Sequence, residues 1–287
     1  MSSDTKLVWL ITGCSTGIGK TLALEVLRQG NIVIAAGRNT DRLSDIVNAG
    51  GIAIKIDPVD SLATIKQTVD EAIKKTGGNI DVLVNNAGVV QMGVLEELTD
   101  EQVLASFTGN VFGAIKTTQA VLPYMRAKRH GNIVFLGSVA SYRRSPGCPL
   151  YNSAKFAVSG LAEGLSLDLE HLGIRTIVIE PGVFRTSLLS SDTMPRFDSH
   201  MEDYDPIYKM QQKVKDMSGN QEGDPLKLSK LLIDIISHSP SLGNVPEKAV
   251  RIPIGRDAYD IVKTKLTSQL SDLEGWKGPI TSTSFDN

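Results

Sequence analysis

The chain has 287 residues, 41% hydrophobic and 22% charged, which is ordinary globular composition and enough length for one large domain with a developed core. Thirty basic residues against 32 acidic ones leave a formal net charge of −2, so no long-range field favours nucleic acid or an anionic membrane. Two cysteines, Cys14 and Cys148, cannot build a disulfide scaffold, and His130, His171, His200 and His238 lack metal-ligand spacing, so neither a disulfide nor a structural metal is expected. Residues 1–6 lack the charged and apolar regions of a signal peptide, and residues 7–11 are too few to cross a bilayer. The expectation is a soluble, cytoplasmic protein.

From the N-terminus, the apolar run at 7–12 predicts a strand that ends in a glycine turn. Ile18, Leu22, Val26 and Leu27 then recur at helical spacing over 18–28. The alternation repeats as strand 32–36, helix 41–48, strand 52–57, helix 61–75 and strand 82–85. A long helix is expected at 100–128, then strand 132–137, a helix carrying Tyr151 and Lys155, and strand 175–180. Strands separated by helix-length segments pair in parallel through right-handed crossovers, which predicts a doubly wound parallel α/β sheet of about seven strands with helices on both faces. Near-continuous apolar strands such as 33–36 and 177–179 suit a sheet covered on both sides. Between 187 and 223 the chain turns polar yet holds Met194, Phe197, Met201, Tyr204, Tyr208, Met210 and Met217, which predicts an adaptable lid within a single domain of 1–287. A helix at 225–237, a strand at 250–254 and a helix at 257–273 complete the chain, with an irregular tail after Trp276.

The first turn reads Thr12-Gly13-Cys14-Ser15-Thr16-Gly17-Ile18-Gly19. Its glycines let the backbone approach a pyrophosphate, whose charge is then met by amides at the start of the following helix. Gly13, Ser15, Thr16, Gly17, Ile18 and Gly19 are therefore candidate cofactor contacts, and Cys14 reads as a small filler. The second strand ends in Ala36-Gly37-Arg38-Asn39, where a ribose-binding carboxylate would mark NAD. Arg38 instead offers a fixed guanidinium fork for a phosphate, so NADP(H) is expected over NAD(H). Tyr151 and Lys155, four apart, share one helix face.

With Asn85-Asn86-Ala87-Gly88, Asn110, Ser138 and Pro181-Gly182 in the same order, the chain resembles the short-chain dehydrogenase/reductases from about Lys6 to Thr186. The resemblance implies a Rossmann-type sheet and a catalytic tetrad of Asn110, Ser138, Tyr151 and Lys155. It implies that Asp57 lies by the adenine, that Asn85, Ala87 and Gly88 support sheet and cofactor, and that Pro181, Gly182, Val183 and Thr186 flank the nicotinamide. Pro58 follows Asp57 and has no N–H to offer the adenine. The tail, with Ile252-Pro253-Ile254-Gly255-Arg256-Asp257, is similar to the hydroxysteroid and retinol dehydrogenase branch. A homodimer or homotetramer through helices near 100–128 and 150–172 is also implied.

Carbonyl reduction needs a hydride over one face of the carbon and a proton at the oxygen. Tyr151 is the candidate acid, Lys155 the group expected to lower its pKa and bond the nicotinamide ribose, Ser138 the donor that orients the substrate oxygen, and Asn110 the holder of a relay water. Residues 139–150 and 183–223 should form the substrate wall, suited to a hydrophobic carbonyl compound, with Arg143 and Arg144 on its loop. An epimerase or lyase using the same tetrad, and an NADP-sensing regulator without turnover, stay open as other readings.

Overall fold

The computed structural model describes residues 6–189, 201–216 and 218–285. Seven parallel strands form one sheet: β1 (Val8–Thr12), β2 (Ile32–Gly37), β3 (Ile52–Lys55), β4 (Val82–Asn85), β5 (Gly131–Leu136), β6 (Ile174–Pro181) and β7 (Arg251–Ile254), in the order β3-β2-β1-β4-β5-β6-β7. The order reverses where β1 pairs with both β2 and β4, which opens a crevice beyond their carboxyl ends. Successive residues of a strand face opposite sides, and here both sides are apolar. Val8 and Leu10 of β1 join one core with residues such as Val69, Val121 and Val158, while Trp9 and Ile11 join the other with Leu22, Val26 and Leu232. Pro253 is accommodated because β7 is an edge strand.

The helices are α1 (Gly17–Arg28), α2 (Ser44–Asn48), α3 (Leu62–Lys74), α4 (Asp100–Phe107), α5 (Gly113–Lys128), α6 (Pro149–Glu170), α7 (Asp205–Asp216), α8 (Pro225–Ser237) and α9 (Arg256–Thr281). The uninterrupted helix expected over 100–128 is broken by a π-helical turn at Thr108–Phe112, which separates α4 from α5. The tail expected to be irregular after Trp276 continues α9 to Thr281, with Pro279 in its last turn. Apolar residues at three- and four-residue spacing from Leu266 to Ile280 carry the helix on. No helix among the described residues is long and apolar enough to cross a membrane.

Of the expected lid, Met194, Phe197 and Met217 lie outside the described residues. The described part begins from a closed stem, where Phe184 bridges Gly223 and Arg185 N donates to Gly223 O at 2.8 Å. The helix α7 then lies against the loop after β4. Tyr204 hydroxyl donates to Glu96, Tyr208 hydroxyl to Glu97, and Gln211 Nε2 to Gly147 O at 3.1 Å. Met201 and Met210 remain exposed.

Candidate active site

The carboxyl ends of β1, β4, β5 and β6 bring together the motifs that lie far apart in the chain. At β1, Gly13 and Gly17 have positive φ of 71° and 59°, which L side chains rarely adopt. A Cβ on Gly13 would come within 2.8 Å of Ala87 Cα, so Gly13 also permits β1 and β4 to meet. Thr12 Oγ1 accepts from the backbone N–H groups of Asn86 and Ala87 at 3.1 and 3.0 Å, while Asn86 Nδ2 donates to Thr12 O at 2.8 Å. Thr16, at the N-cap of α1, makes no side-chain cap bond, and no acidic residue stands in the first turn. The opening amides of α1 thus keep free donors and an undiminished positive end toward the crevice.

The catalytic candidates sit on α6 and the end of β5. Proline at N1 starts α6 at Pro149, two residues before Tyr151. Ser138 hydrogen-bonds the Tyr151 phenol, and Lys155, one turn further on, donates from Nζ to Leu136 O at 2.8 Å. Its Nζ lies 5.6 Å from the Tyr151 ring centroid. Gly88 leaves the space between: a Cβ there would stand 2.7 Å from Asn110 Oδ1 and 3.5 Å from Lys155 Nζ.

Burial governs the protonation of both groups. It pushes the Tyr151 phenol up to about 12, with the Ser138 hydrogen bond pulling the other way, and it pushes Lys155 down to about 8. The expected lowering of Tyr151 by Lys155 is therefore not how this protein rests. A low-dielectric site disfavours the charged form of each, and the ammonium is engaged with a backbone carbonyl instead. Asn110 also differs from expectation. Both amide protons of its side chain go to carbonyls, Val89 O at 2.9 Å and Ser106 O at 2.8 Å, while Oδ1 accepts from Val89 N at 3.2 Å. Its side chain pins the loop after β4 to the π turn.

The remaining sequence candidates fall around this core. Asn85 is buried and donates to Thr118 Oγ1 at 2.9 Å, which joins β4 to α5. Asp57 accepts from Val59 N at 3.1 Å, shaping the turn after β3. Thr186 faces the glycine turn, since a Cβ on Gly17 would lie 3.4 Å from Thr186 Cβ. Gly182 donates to Ile254 O at 2.9 Å, and Val183 N donates to Asp257 Oδ2 at 2.8 Å. Arg38 is exposed at the end of β2, with no hydrogen bond or ion pair to any described residue. Burial pushes the Cys14 thiol up to about 12 and the Cys148 thiol to about 11, so both are neutral packing groups near neutral pH.

Several residues that position the site were missed in the sequence. Glu180, fully buried beside Pro181, accepts from Ser141 and Ser159 at 2.6 and 2.8 Å and from Arg251 Nε and Nη2 at 3.1 and 2.6 Å. Ser141 Oγ also lies 2.8 Å from Ser138 O, and Ser159 Oγ 3.1 Å from Lys155 O, so each hydroxyl's single proton is shared between the carboxylate and a backbone carbonyl. One carboxylate thereby ties the Ser138 loop, α6 and the Pro181 turn together. Its signal was a charge closing an apolar strand. Lys116 clamps the turn carrying Pro58 through Pro58 O and Asp60 O, both at 2.8 Å, and Asp257 was legible only as an acidic residue in a first helical turn. Beside Tyr151, Val90, Met92 and Cys148 form a small apolar cluster.

The glycine cradle, the open helix start and the unpaired Arg38 fit a dinucleotide in shape and charge. A family model described as short chain dehydrogenase matches residues 7–195. A 3-ketodihydrosphingosine reductase from Bacteroides thetaiotaomicron is 31% identical over 228 residues, 79% of this chain and 82% of that protein. A solved short-chain dehydrogenase from Streptomyces avermitilis superposes with a TM-score of 0.86 at 31% identity, over 98% of this chain and 100% of that one. Another from Burkholderia phymatum, solved in complex with NAD, shares the fold at a TM-score of 0.76 and 22% identity, over 92% and 94% of the two chains.

Proposed function

Because the chain belongs to the short-chain dehydrogenase family of oxidoreductases, we propose that it interconverts a ketone or aldehyde and the alcohol with NADP(H), using Tyr151 as the proton donor. The observation that carries the reading is the meeting of Ser138, Tyr151 and Lys155 at the mouth of the crevice, with the phenol held protonated. When bound, the reduced nicotinamide supplies the hydride. Gly13, Ser15, Thr16, Gly17, Ile18 and Gly19 hold the phosphates, and Ala87, Gly88, Pro181, Gly182, Val183 and Thr186 frame the rest of the dinucleotide. Ser138 and Tyr151 both reach the carbonyl oxygen. Ser138 orients it, and the Tyr151 hydroxyl delivers the proton. Lys155, fixed by Leu136 O, turns its remaining protons toward the ribose, and its ammonium charge stabilises the phenolate as it forms. Asn110 acts as a positioning residue, by keeping the Gly88 loop off Lys155.

Arg38 supports NADP(H) over NAD(H), since an exposed, unpaired guanidinium at the end of β2 suits a 2′-phosphate and no carboxylate stands at 37 or 39. The apolar cluster of Val90, Met92 and Cys148 supports a hydrophobic substrate, with α7 as its lid. The 3-ketodihydrosphingosine reductase among the relatives agrees with ketone reduction as the reaction class.

The test is Tyr151→Phe, assayed by loss of reduced-nicotinamide absorbance against a panel of apolar ketones and aldehydes. Turnover is expected to fall about 10²- to 10⁴-fold while NADPH binding, followed by fluorescence titration, is kept. Near-wild-type turnover in this variant would refute the assignment.

A further inference from the structure

The last helix, α9, is anchored only at its start. Ala258 and Val262 are buried against the domain, whereas every residue from Leu266 to Phe285 is exposed. Yet the overhanging part is not polar all round. Leu266, Leu270, Leu273, Trp276 and Ile280 are 53%, 60%, 55%, 64% and 46% exposed, and Tyr259 near the anchor is 61% exposed. At about 100° per residue they fall in one stripe roughly 120° wide, interrupted by Gln269 and Lys277 and continuous with the buried side of the first turns. Leu266, Leu270 and Leu273 follow the four-then-three spacing of a helix–helix seam, and Ile280 continues it one heptad on. From Tyr259 to Ile280 the stripe runs about 30 Å and is about 10 Å wide. An apolar strip on the order of 300 Å² is of the size that marks an interaction site.

We propose that the stripe is covered by the same helix of a second copy of this chain, packed antiparallel across a two-fold axis between Ser268 and Gln269. The charges on α9 carry this choice. In that register Lys263 of one copy is level with Glu274 of the other, and Lys265 with Asp272, and the symmetry makes each pair twice. Leu266 lies level with Leu270 to within one residue, and Lys277 with Tyr259, where a cation can sit on the ring. A parallel pairing would instead set each lysine beside its own copy. The helix is also poorly suited to lie on a bilayer. Arg256, Lys263, Lys265 and Lys277 are balanced by Asp257, Asp260, Asp272 and Glu274, whereas surface-seeking helices carry a basic polar face. The pairing brings Ile280 of one copy level with Asp257 of the other, whose carboxylate holds Val183 at the edge of the site.

The test is sedimentation of the full-length protein across a concentration series. Leu270→Asp combined with Leu273→Asp should halve the assembled mass while the chain stays folded by circular dichroism, because both side chains are exposed in the single chain. Halving counts whether the smaller species is a lone chain or a pair joined through another face. Lys265→Glu and Asp272→Lys should each weaken association about fivefold, and the two together should restore it. The proposal is overturned if the leucine substitutions leave the mass unchanged, if the charge reversals do not rescue one another, or if the wild-type chain sediments as the leucine variant does while binding phosphatidylcholine–phosphatidylserine vesicles through α9.

Discussion

The catalytic edge and the segment that overhangs it are held by different kinds of contact. Behind Ser138, Tyr151 and Lys155, the polar ties are buried or part-buried and join separate elements: Glu180 to Ser141, Ser159 and Arg251, Lys155 to Leu136, and Asn110 to Val89. Next to the loop after β4, α7 and the turn before it are fastened nearer the surface, by Tyr204 to Glu96 in an exposed contact and by Tyr208 to Glu97 in a part-buried one. Buried networks fix one geometry because an unmade bond there is costly, while exposed contacts exchange with water at little cost. The proposed proton donor is thus built for a single placement, and the segment proposed as its lid is held less deeply.

That contrast can be broken at its strongest point first. Removing the carboxylate in Glu180→Ala leaves Arg251 partly buried with only the longer Glu163 ion pair, at 3.8 Å, and should cost about 3–5 kcal/mol in urea denaturation. A loss below about 1 kcal/mol would mean that the edge is not held by this network. Next, Lys155→Met should lower turnover about 100-fold and move the alkaline rise of alcohol oxidation upward. The sign follows from the phenolate: burial already pushes the Tyr151 phenol up to about 12, so the base needed for oxidation appears only as pH climbs, and losing the ammonium that faces the forming phenolate delays it further. The same substitution has a stability signature in the cofactor-free protein. Because Lys155 titrates near 8 when folded and at 10.5 ordinarily, its site binds fewer protons in the folded chain between those values, and its contribution to stability should rise with pH across that window, against the opposite slope of the buried Cys14 and Cys148 thiols above about 9. In Lys155→Met that rise should vanish, and a persisting rise would place its origin elsewhere.

Arg38→Asp should shift the NADPH-to-NADH ratio of kcat/KM by roughly tenfold to a hundredfold toward NADH, the range of a charge-assisted hydrogen bond. An unchanged ratio would remove Arg38 from cofactor choice. The smallest effect is expected on the lid. Tyr208→Phe should change KM for an apolar substrate by less than about threefold and leave kcat alone, as befits a part-buried contact outside the Ser138–Tyr151–Lys155 group. A large fall in kcat would show instead that α7 belongs to the catalytic frame.

Much of this was legible in the chain because local pattern carries it. Apolar runs spaced by helix-length segments specify a parallel sheet, and each strand but β3 lies within a residue or so of its expected span. The glycine turn and the Tyr151 to Lys155 spacing are local too. The break between α4 and α5 was hidden, because a π turn arises from how Asn110 binds a loop twenty-one residues away. The reach of α9 was hidden by Gly275, Gly278 and Pro279, which read as helix breakers.

The sequence by itself determined the order of elements, the open start of α1 and the residue types that meet at the crevice, all of which depend on neighbours within a few turns. Only the tertiary structure decided the protonation of Tyr151 and Lys155, the burial of Glu180 among four elements and the exposure of the α9 stripe. These are properties of what surrounds a side chain, and that depends on contacts between residues tens to more than a hundred positions apart.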